Sequence, residues 1–179
     1  IQLTKALKTG YRKLLKSSKS EMKRVTVLMV KVPLFANYDF FKLAIDCIHR
    51  RSGFVSEISE NAVFALFGAP VAFDHDTESA LRAALDIREC FLQELCEEDE
   101  TDFRIGIATG PVQVEPDEES QGKSFHVTGA TKNLAEQLMN NADSGEILIC
   151  SDTEEITRRA FKLEETPSLS LNEISDNYT

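Results

Sequence analysis

The chain has 179 residues, 42% of them hydrophobic, and a formal net charge of −10. A chain of this length and apolar content can bury one substantial core, so we expect one folded domain. No apolar run approaches the roughly 18–20 residues that span a bilayer, and no signal-peptide pattern appears. We therefore expect a cytoplasmic chain without a transmembrane segment. Because it begins at Ile1, it could be a fragment of a larger, membrane-associated protein.

The charge is unevenly distributed along the chain. Residues 1–24 hold eight of the 20 basic side chains and one acidic side chain, which leaves 12 basic against 29 acidic residues in the remainder. A body this acidic repels polyphosphates, so we expect no nucleic-acid partner. No two cysteines have CxxC spacing, and we expect reduced thiols packed in the core. The cysteines are Cys47, Cys90, Cys96 and Cys150.

The elements of the first half follow from apolar periodicity. Leucines and Tyr11 recur at helical spacing near the start and predict a basic amphipathic lead-in helix over residues 1–22. A β-branched run, Val25–Val32, predicts a buried central strand that Pro33 ends. The pattern then predicts, in order, a helix (Asp39–Arg51), two strands (Phe54–Ile58 and Ala62–Phe67) and a long helix that Asp76 caps, with an apolar stripe of Leu81, Ala84, Leu85, Phe91, Leu92 and Leu95.

The second half continues the same alternation. It predicts a strand (Phe103–Thr109), a hairpin from Val112 to Val127 with an acidic tip at 117–119, a helix (Thr131–Asn141), a strand (Glu146–Cys150) and a last helix from Asp152 or Thr153. Past Thr166 the chain is polar, and we expect a tail over 166–179. Strands and helices in this order predict an α/β fold, an α+β sandwich with helices packed on a mixed sheet.

Four segments, in order, resemble the class III adenylyl/guanylyl cyclase catalytic domain. They are A-L-F-G-A-P (65–70, the end of E-N-A-V-F-A-L-F-G-A-P from 60), L-R-A-A-L-D-I (81–87), R-I-G-I-A-T-G-P-V (104–112) and N-L-A-E-Q-L (133–138), the last of which precedes S-G-E-I-L-I (144–149). The resemblance covers Arg24 to Phe161 and implies a cyclase-homology domain over about residues 23–165. It also implies a ferredoxin-like core with a mostly antiparallel sheet.

The resemblance implies chemistry that the residues do not match. Such cyclases join a ribose 3′-hydroxyl to the α-phosphate with two divalent ions held by two aspartates. Lys31 and Asn61 stand at those two metal positions, and a cationic ammonium cannot ligate Mg²⁺. We expect an ion pair of Lys31 with Glu57 or Glu60 instead. Asn61 follows Lys31 by only 30 positions, about a dozen or more fewer than in the family, so the resemblance implies that the turn and first helix whose backbone N–H groups hold the triphosphate are missing.

The remaining family positions are also altered. Glu57 and His126 stand at the degenerate base-reading positions, and Gln137 replaces the arginine that stabilises charge on the transferring phosphate. Asn133, which matches the ribose-positioning asparagine, is retained. Asp74-His75-Asp76 is an apparent metal cluster that we interpret as helix capping, because adjacent residues at a helix start rarely converge on one ion.

The sequence thus predicts a catalytically inactive cyclase-homology domain, a pseudoenzyme that acts in intracellular signalling. It would form a homodimer or a heterodimer with another cyclase-like domain and regulate its partner. No cofactor is predicted. One alternative is residual nucleotide binding or cyclase activity with Mg²⁺ or Mn²⁺ and non-standard ligands such as Glu60. The other is a small-ligand sensor that uses the vacated cleft.

Overall fold

A computed structural model describes residues 20–33, 38–94, 102–116 and 125–164. In chain order its elements are β1 (Glu21–Lys31), α1 (Tyr38–Arg50), β2 (Phe54–Ile58), β3 (Ala62–Phe67), α2 (Asp76–Glu94), β4 (Arg104–Pro116), β5 (Phe125–Thr128), α3 (Ala130–Asn141), β6 (Ile147–Ile149) and α4 (Ser151–Thr157). The two strands predicted between α1 and α2 have the predicted bounds. The lead-in helix over residues 1–19, the acidic tip and the tail lie outside the described residues.

One six-stranded sheet organises these elements. The strand order is β2-β3-β1-β4-β5, and β6 pairs with β4 beside this path. The β4–β6 pair is parallel and the other pairs are antiparallel. Central strand β1 lies between β3 and β4, where Leu28 faces Ala65 on one side and Ile107 on the other. The predicted fold class, a mixed and mostly antiparallel sheet with helices packed on it, is confirmed.

Both faces of the central strand are buried. Leu28, Val30 and Val32 pack with residues of α1 and α2 on one face. Val27 and Met29 point to the other face, where they pack with residues of α3. A strand covered on both faces needs apolar side chains at consecutive positions, which is why this segment is a continuous apolar run without alternation.

The contact between α3 and β4 depends on a glycine. A Cβ atom added at Gly106 would lie 2.2 Å from the carbonyl oxygen of Ala135 and 2.4 Å from the backbone nitrogen of Met139. Both atoms belong to the α3 backbone, so the helix lies directly on the strand. Any side chain at position 106 would force the helix away from the sheet.

The structure corrects the predicted break after Thr109. β4 continues through Gly110 and Pro111 to Pro116, and Pro111 lies opposite Arg24 in the β1–β4 ladder. The strand continues because β1 starts at Glu21, four residues before the predicted start, and its first residues extend the ladder. This strand also includes the last two positions of the segment 1–22, which the sequence assigned to the lead-in helix.

Two positions of the predicted apolar stripe of α2 are wrong. Leu85 is 44% exposed and Leu92 is 52% exposed. Ala83 and Ile87 are buried instead, along with the correctly predicted Leu81, Ala84 and Phe91. The face of the helix that packs on the sheet is the one that carries Ala80, Ala83 and Ala84, because these small side chains allow close packing. Leu95 lies outside the described residues.

Candidate functional site

Lys31, at the end of β1, forms an ion pair that the sequence analysis did not predict. Its Nζ lies 2.7 Å from Oδ2 of Asp102, and the Lys31 side chain is 22% exposed. The expected pairing with Glu57 or Glu60 is therefore wrong. Lys31 lies opposite Arg104 in the β1–β4 ladder, which places Asp102, two residues earlier, next to the ammonium. Glu57 lies on β2, beyond β3 in the strand order.

Asp102 is held by two cations. Its Oδ1 accepts a hydrogen bond from Nε of Arg104 at 2.7 Å while its Oδ2 accepts one from Lys31. The hydrogen bond from Lys31, together with the hydrogen bond from Arg104 and the charges of both groups, lowers the pKa of Asp102, although burial opposes the shift. The carboxylate is therefore ionised at neutral pH, and the two cations already compensate its negative charge.

The two residues at the predicted metal positions lie next to each other. Lys31 lies opposite Ala62 in the β1–β3 ladder, and the carbonyl oxygen of Asn61 accepts the Val32 N–H at 2.8 Å. The Asn61 side chain is exposed. A divalent ion of the Mg²⁺ type takes carboxylate oxygens and water as ligands. An ammonium and a neutral amide do not fit it. Across the described ranges, no group of three or more His, Cys, Asp or Glu residues could hold a metal ion.

Glu57, at a predicted base-reading position on β2, forms an ion pair with a lysine of helix α3. Its Oε2 lies 2.8 Å from Nζ of Lys132, in the first turn of α3. The same ammonium lies 4.5 Å from the ring centroid of Phe64 on β3. One cation therefore joins the edge strand β2 to α3 while it covers an aromatic face. His126, the other base-reading position, is exposed on β5 and lies opposite Glu115 in the β4–β5 ladder.

The retained Asn133 and the substituted Gln137 lie one turn apart on α3. The Asn133 side chain is exposed, and Gln137 is partly buried. The carbonyl oxygen of Gln137 accepts a hydrogen bond from Nδ2 of Asn141 at 2.8 Å. Lys132 is the one Lys or Arg in the α3 sequence, and it is paired with Glu57. No other cation of this helix can therefore take the place of the arginine that Gln137 replaces.

The Asp74–Asp76 segment serves the start of α2. The helix begins at Asp76, and its Oδ2 accepts the N–H of Phe73 at 2.6 Å. Burial raises the pKa of Asp76, with a smaller contribution from Asp74, while the hydrogen bond from Phe73 opposes the shift. The side chain thus holds the preceding backbone and does not cap the helix from outside it.

Sequence reasoning missed Asp102 and Lys132. Asp102 ends a run of acidic residues, where a single partnered carboxylate has no distinguishing pattern. Lys132 had no sequence signal either, because the side chain of Glu57 is 59% exposed and an exposed carboxylate does not require a nearby cation. It also missed a chain of hydroxyls that joins the partly buried Thr77 to the buried Thr26, Thr109 and Thr153, with successive oxygen–oxygen distances of 2.9, 3.0 and 2.9 Å.

Comparison with known families decides what this fold is. The model of the adenylate and guanylate cyclase catalytic domain matches residues 18–173. This chain belongs to that family. The match confirms the resemblance that the four segments indicated.

Relatives of this cyclase-family chain include two uncharacterised mycobacterial proteins, one of Mycobacterium bovis and one of Mycobacterium tuberculosis. Each is 29% identical over 136 residues, which cover 73% of this chain and 25% of the relative. The chain thus spans about a quarter of the length of the curated relatives it matches.

Solved structures agree in fold. The catalytic core of a rhodopsin-guanylyl cyclase in complex with ATPαS is 18% identical, covers 87% of this chain and 93% of its own, and has a TM-score of 0.75. The adenylyl cyclase CyaB of P. aeruginosa is 17% identical, covers 79% and 84%, and has a TM-score of 0.69. The monomeric guanylyl cyclase domain of the Blastocladiella emersonii RhoGC fusion protein is 20% identical, covers 79% and 89%, and has a TM-score of 0.68.

None of the helices in the described residues combines the length and apolar character needed to cross a membrane.

Proposed function

We propose that this chain is a catalytically inactive cyclase-homology domain that acts in signalling by associating with a second cyclase-like domain. The Lys31–Asp102 ion pair carries the proposal. A positive charge, held 2.7 Å from its own carboxylate, stands at a position where the family's reaction needs a metal-binding carboxylate.

Electrostatics argue against a metal ion beside Lys31. A divalent cation would be repelled by the ammonium, and binding it through Asp102 would require breaking hydrogen bonds from Lys31 and Arg104. The neighbouring amide of Asn61 supplies no charge to offset these costs. Without the two ions, neither activation of the 3′-hydroxyl nor neutralisation of the phosphates is available.

The Glu57–Lys132 pair supports the same conclusion at the base-reading position. The carboxylate of Glu57 carries the opposite charge to the family's lysine and is already paired with a cation. A nucleotide base would have to separate this pair and lift Lys132 from the Phe64 ring. Binding energy spent in this way reduces affinity.

Association remains available to a domain that has lost catalysis. β2 is an edge strand of the described sheet, and an edge strand offers backbone N–H and C=O groups to a partner, here beside the 53% exposed Ile58. The RhoGC cyclase domain has been crystallised both as a monomer and as a dimer. The partner proposed here is a second copy of this chain or a related cyclase domain, whose activity it would regulate.

Assays of turnover test the loss of catalysis. Purified protein incubated with ATP or GTP and either Mg²⁺ or Mn²⁺ should give no cyclic AMP or cyclic GMP by mass spectrometry. Asn133→Ala is the matched control, because it removes the one retained family residue. Turnover by the natural chain that disappears in this variant would overturn the proposal.

Light scattering tests association separately. We expect it to show a dimer of the full chain at micromolar concentration. If the chain instead pairs with a related domain, an activity assay should show that it changes the turnover of an active cyclase domain mixed with it. A monomer that leaves such a domain's turnover unchanged would contradict the regulatory role.

Nucleotide binding without turnover is the second candidate function. The observation that favours it is Asn133, the retained ribose-positioning residue, whose side chain is exposed on α3. A ligand that binds the native state raises its melting temperature. A thermal shift with millimolar nucleotide and Mn²⁺, reduced in Asn133→Ala, would support this candidate, whereas no shift would exclude it.

A further inference from the structure

Two cysteines from different helices meet beneath the sheet. Cys47 on α1 and Cys90 on α2 have their Sγ atoms 4.0 Å apart, and both are free thiols. Cys47 is fully buried and belongs to the core, whereas Cys90 is partly exposed at its margin. This arrangement confirms the expected packing of both thiols. It also places two oxidisable sulfurs within reach of each other.

We propose that Cys47 and Cys90 form a reversible oxidative modification site, in which a hydroperoxide converts the two thiols into a disulfide that ties α1 to α2. The inference rests on the position of the two sulfurs and on Arg50. It does not depend on whether the domain binds nucleotide or turns it over.

The exposure of the two residues sets the order of the steps. The partly exposed Cys90 meets the oxidant first: its thiolate attacks one peroxide oxygen, the O–O bond breaks, and a sulfenic acid and a hydroxide form. The Cys47 sulfur then attacks the Cys90 sulfur. The S–S bond forms, the S–O bond breaks, and the departing hydroxide takes the Cys47 proton as water. In total, two thiols and one hydrogen peroxide give one disulfide and two waters.

Cys47 is suited to the second step. Burial raises its pKa to about 11, which keeps it protonated and unreactive toward oxidant at neutral pH. Nη2 of Arg50 lies 3.0 Å from its sulfur and opposes that shift. When Cys47 attacks the sulfenic acid, this guanidinium stabilises the negative charge that develops on the sulfur. The sulfurs must approach from 4.0 Å to a bonding distance of about 2 Å, which needs side-chain rotation and a small shift of the helices.

The bridge would have a mechanical consequence. Both helices cover the same face of the sheet, opposite α3. A covalent link between them closes a long loop and restricts the unfolded chain, so the oxidised form should melt higher than the reduced form by roughly 5–10 °C.

Mass spectrometry of the full chain tests the proposal. The folded protein is treated with hydrogen peroxide, remaining thiols are blocked with N-ethylmaleimide, and the chain is digested without reduction. Trypsin alone leaves Cys90 and Cys96 in one peptide, 89–104, whereas additional cleavage after glutamate isolates residues 90–94. We expect a Cys47–Cys90 linked peptide, lighter than the two separate peptides by two hydrogens, that disappears with dithiothreitol.

Three comparisons decide the result. The link should form at least about tenfold faster in the folded chain than in the same chain in urea, because folding holds the sulfurs together. Cys90→Ser should abolish it, and Cys150→Ser should leave its rate unchanged. Equal rates in the folded and unfolded chains, or a dominant link from Cys47 to Cys96 or between two chains, would overturn the proposal.

Discussion

The Lys31 ammonium and the Asp102 carboxylate lie 2.7 Å apart, at the end of β1 and just before β4. The pair joins two neighbouring strands at the predicted metal positions. Because Arg104 binds the other oxygen of the same carboxylate, Asp102 is the centre of a three-residue ionic group. Replacing it therefore removes the partner of two cations at once.

We expect Asp102→Asn to lower the free energy of unfolding by about 1 kcal/mol. The pair is partly exposed, so solvent screening keeps the loss well below that of a buried ion pair. Asp152→Asn is the matched control. It removes the partner of Arg24 at 3.0 Å, where both side chains are more than half exposed, and it should change stability by less than about 0.5 kcal/mol. Urea unfolding measures both values. Equal losses in the two variants would contradict a special role for Asp102.

The lowered pKa of Asp102 predicts how stability depends on pH. The carboxyl group of Asp102 holds its proton less tightly in the folded state than in the unfolded chain, where its pKa is the ordinary 3.8. The contribution of Asp102 is therefore fully present above that value and is lost as the pH falls below it, through the lower pKa of the folded state. Asp102→Asn should show a shallower loss of stability below about pH 4 than the natural chain. Parallel pH profiles for the two proteins would refute this assignment.

Gly106 should tolerate no side chain. In Gly106→Ala the new methyl group meets backbone atoms of α3, which cannot rotate away, so we expect a loss of about 3 kcal/mol or more, or failure to fold.

Gly110 provides the comparison. A Cβ there would lie 2.6 Å from the Thr131 hydroxyl oxygen, a side-chain atom. Gly110→Ala should therefore be partly rescued by Thr131→Ala, whereas no alanine substitution in α3 should rescue Gly106→Ala. Thermal melts of the single and double variants measure both effects. A Gly106→Ala protein as stable as the natural chain would show that α3 does not lie directly on β4.

Thr109 is expected to be the most sensitive member of this hydroxyl chain, since its contacts with Thr26 and Thr153 are both buried, whereas the contact between Thr26 and Thr77 is only partly buried. Thr109→Val keeps the shape but removes the hydroxyl, and we expect a loss of about 1–3 kcal/mol.

Thr109→Ser retains the hydroxyl and loses one methyl group, so it should cost about 1 kcal/mol. Thr128→Val, at an exposed position on β5, is the control and should have little effect. Urea unfolding that ranked Ser below Val at position 109 would show that packing, and not the hydrogen bonds, sets the cost.

Much of the fold was predictable because it depends on local patterns. The apolar run Val25–Val32 predicted the doubly covered central strand, and the turns around Gly53 and Asn61 bounded β2 and β3 correctly. The errors came where packing against other elements decides the outcome. The sequence analysis ended a strand at Thr109, but the segment through Pro111 stays extended because the start of β1 pairs with it. Leu85 and Leu92 have the right periodicity for a buried stripe, yet the alanines of α2 face the sheet.

The sequence by itself determined the family and the residue types at its chemical positions, because motifs and substitutions are written in the order of the chain. It placed an ammonium at position 31 and an amide at position 61 without any knowledge of their neighbours. Only the tertiary structure decided which charges meet. Lys31 pairs with Asp102, 71 positions away, and Lys132 pairs with Glu57, 75 positions away. Ion pairs depend on distances across the sheet, and strand register and helix packing set those distances, which no local pattern records.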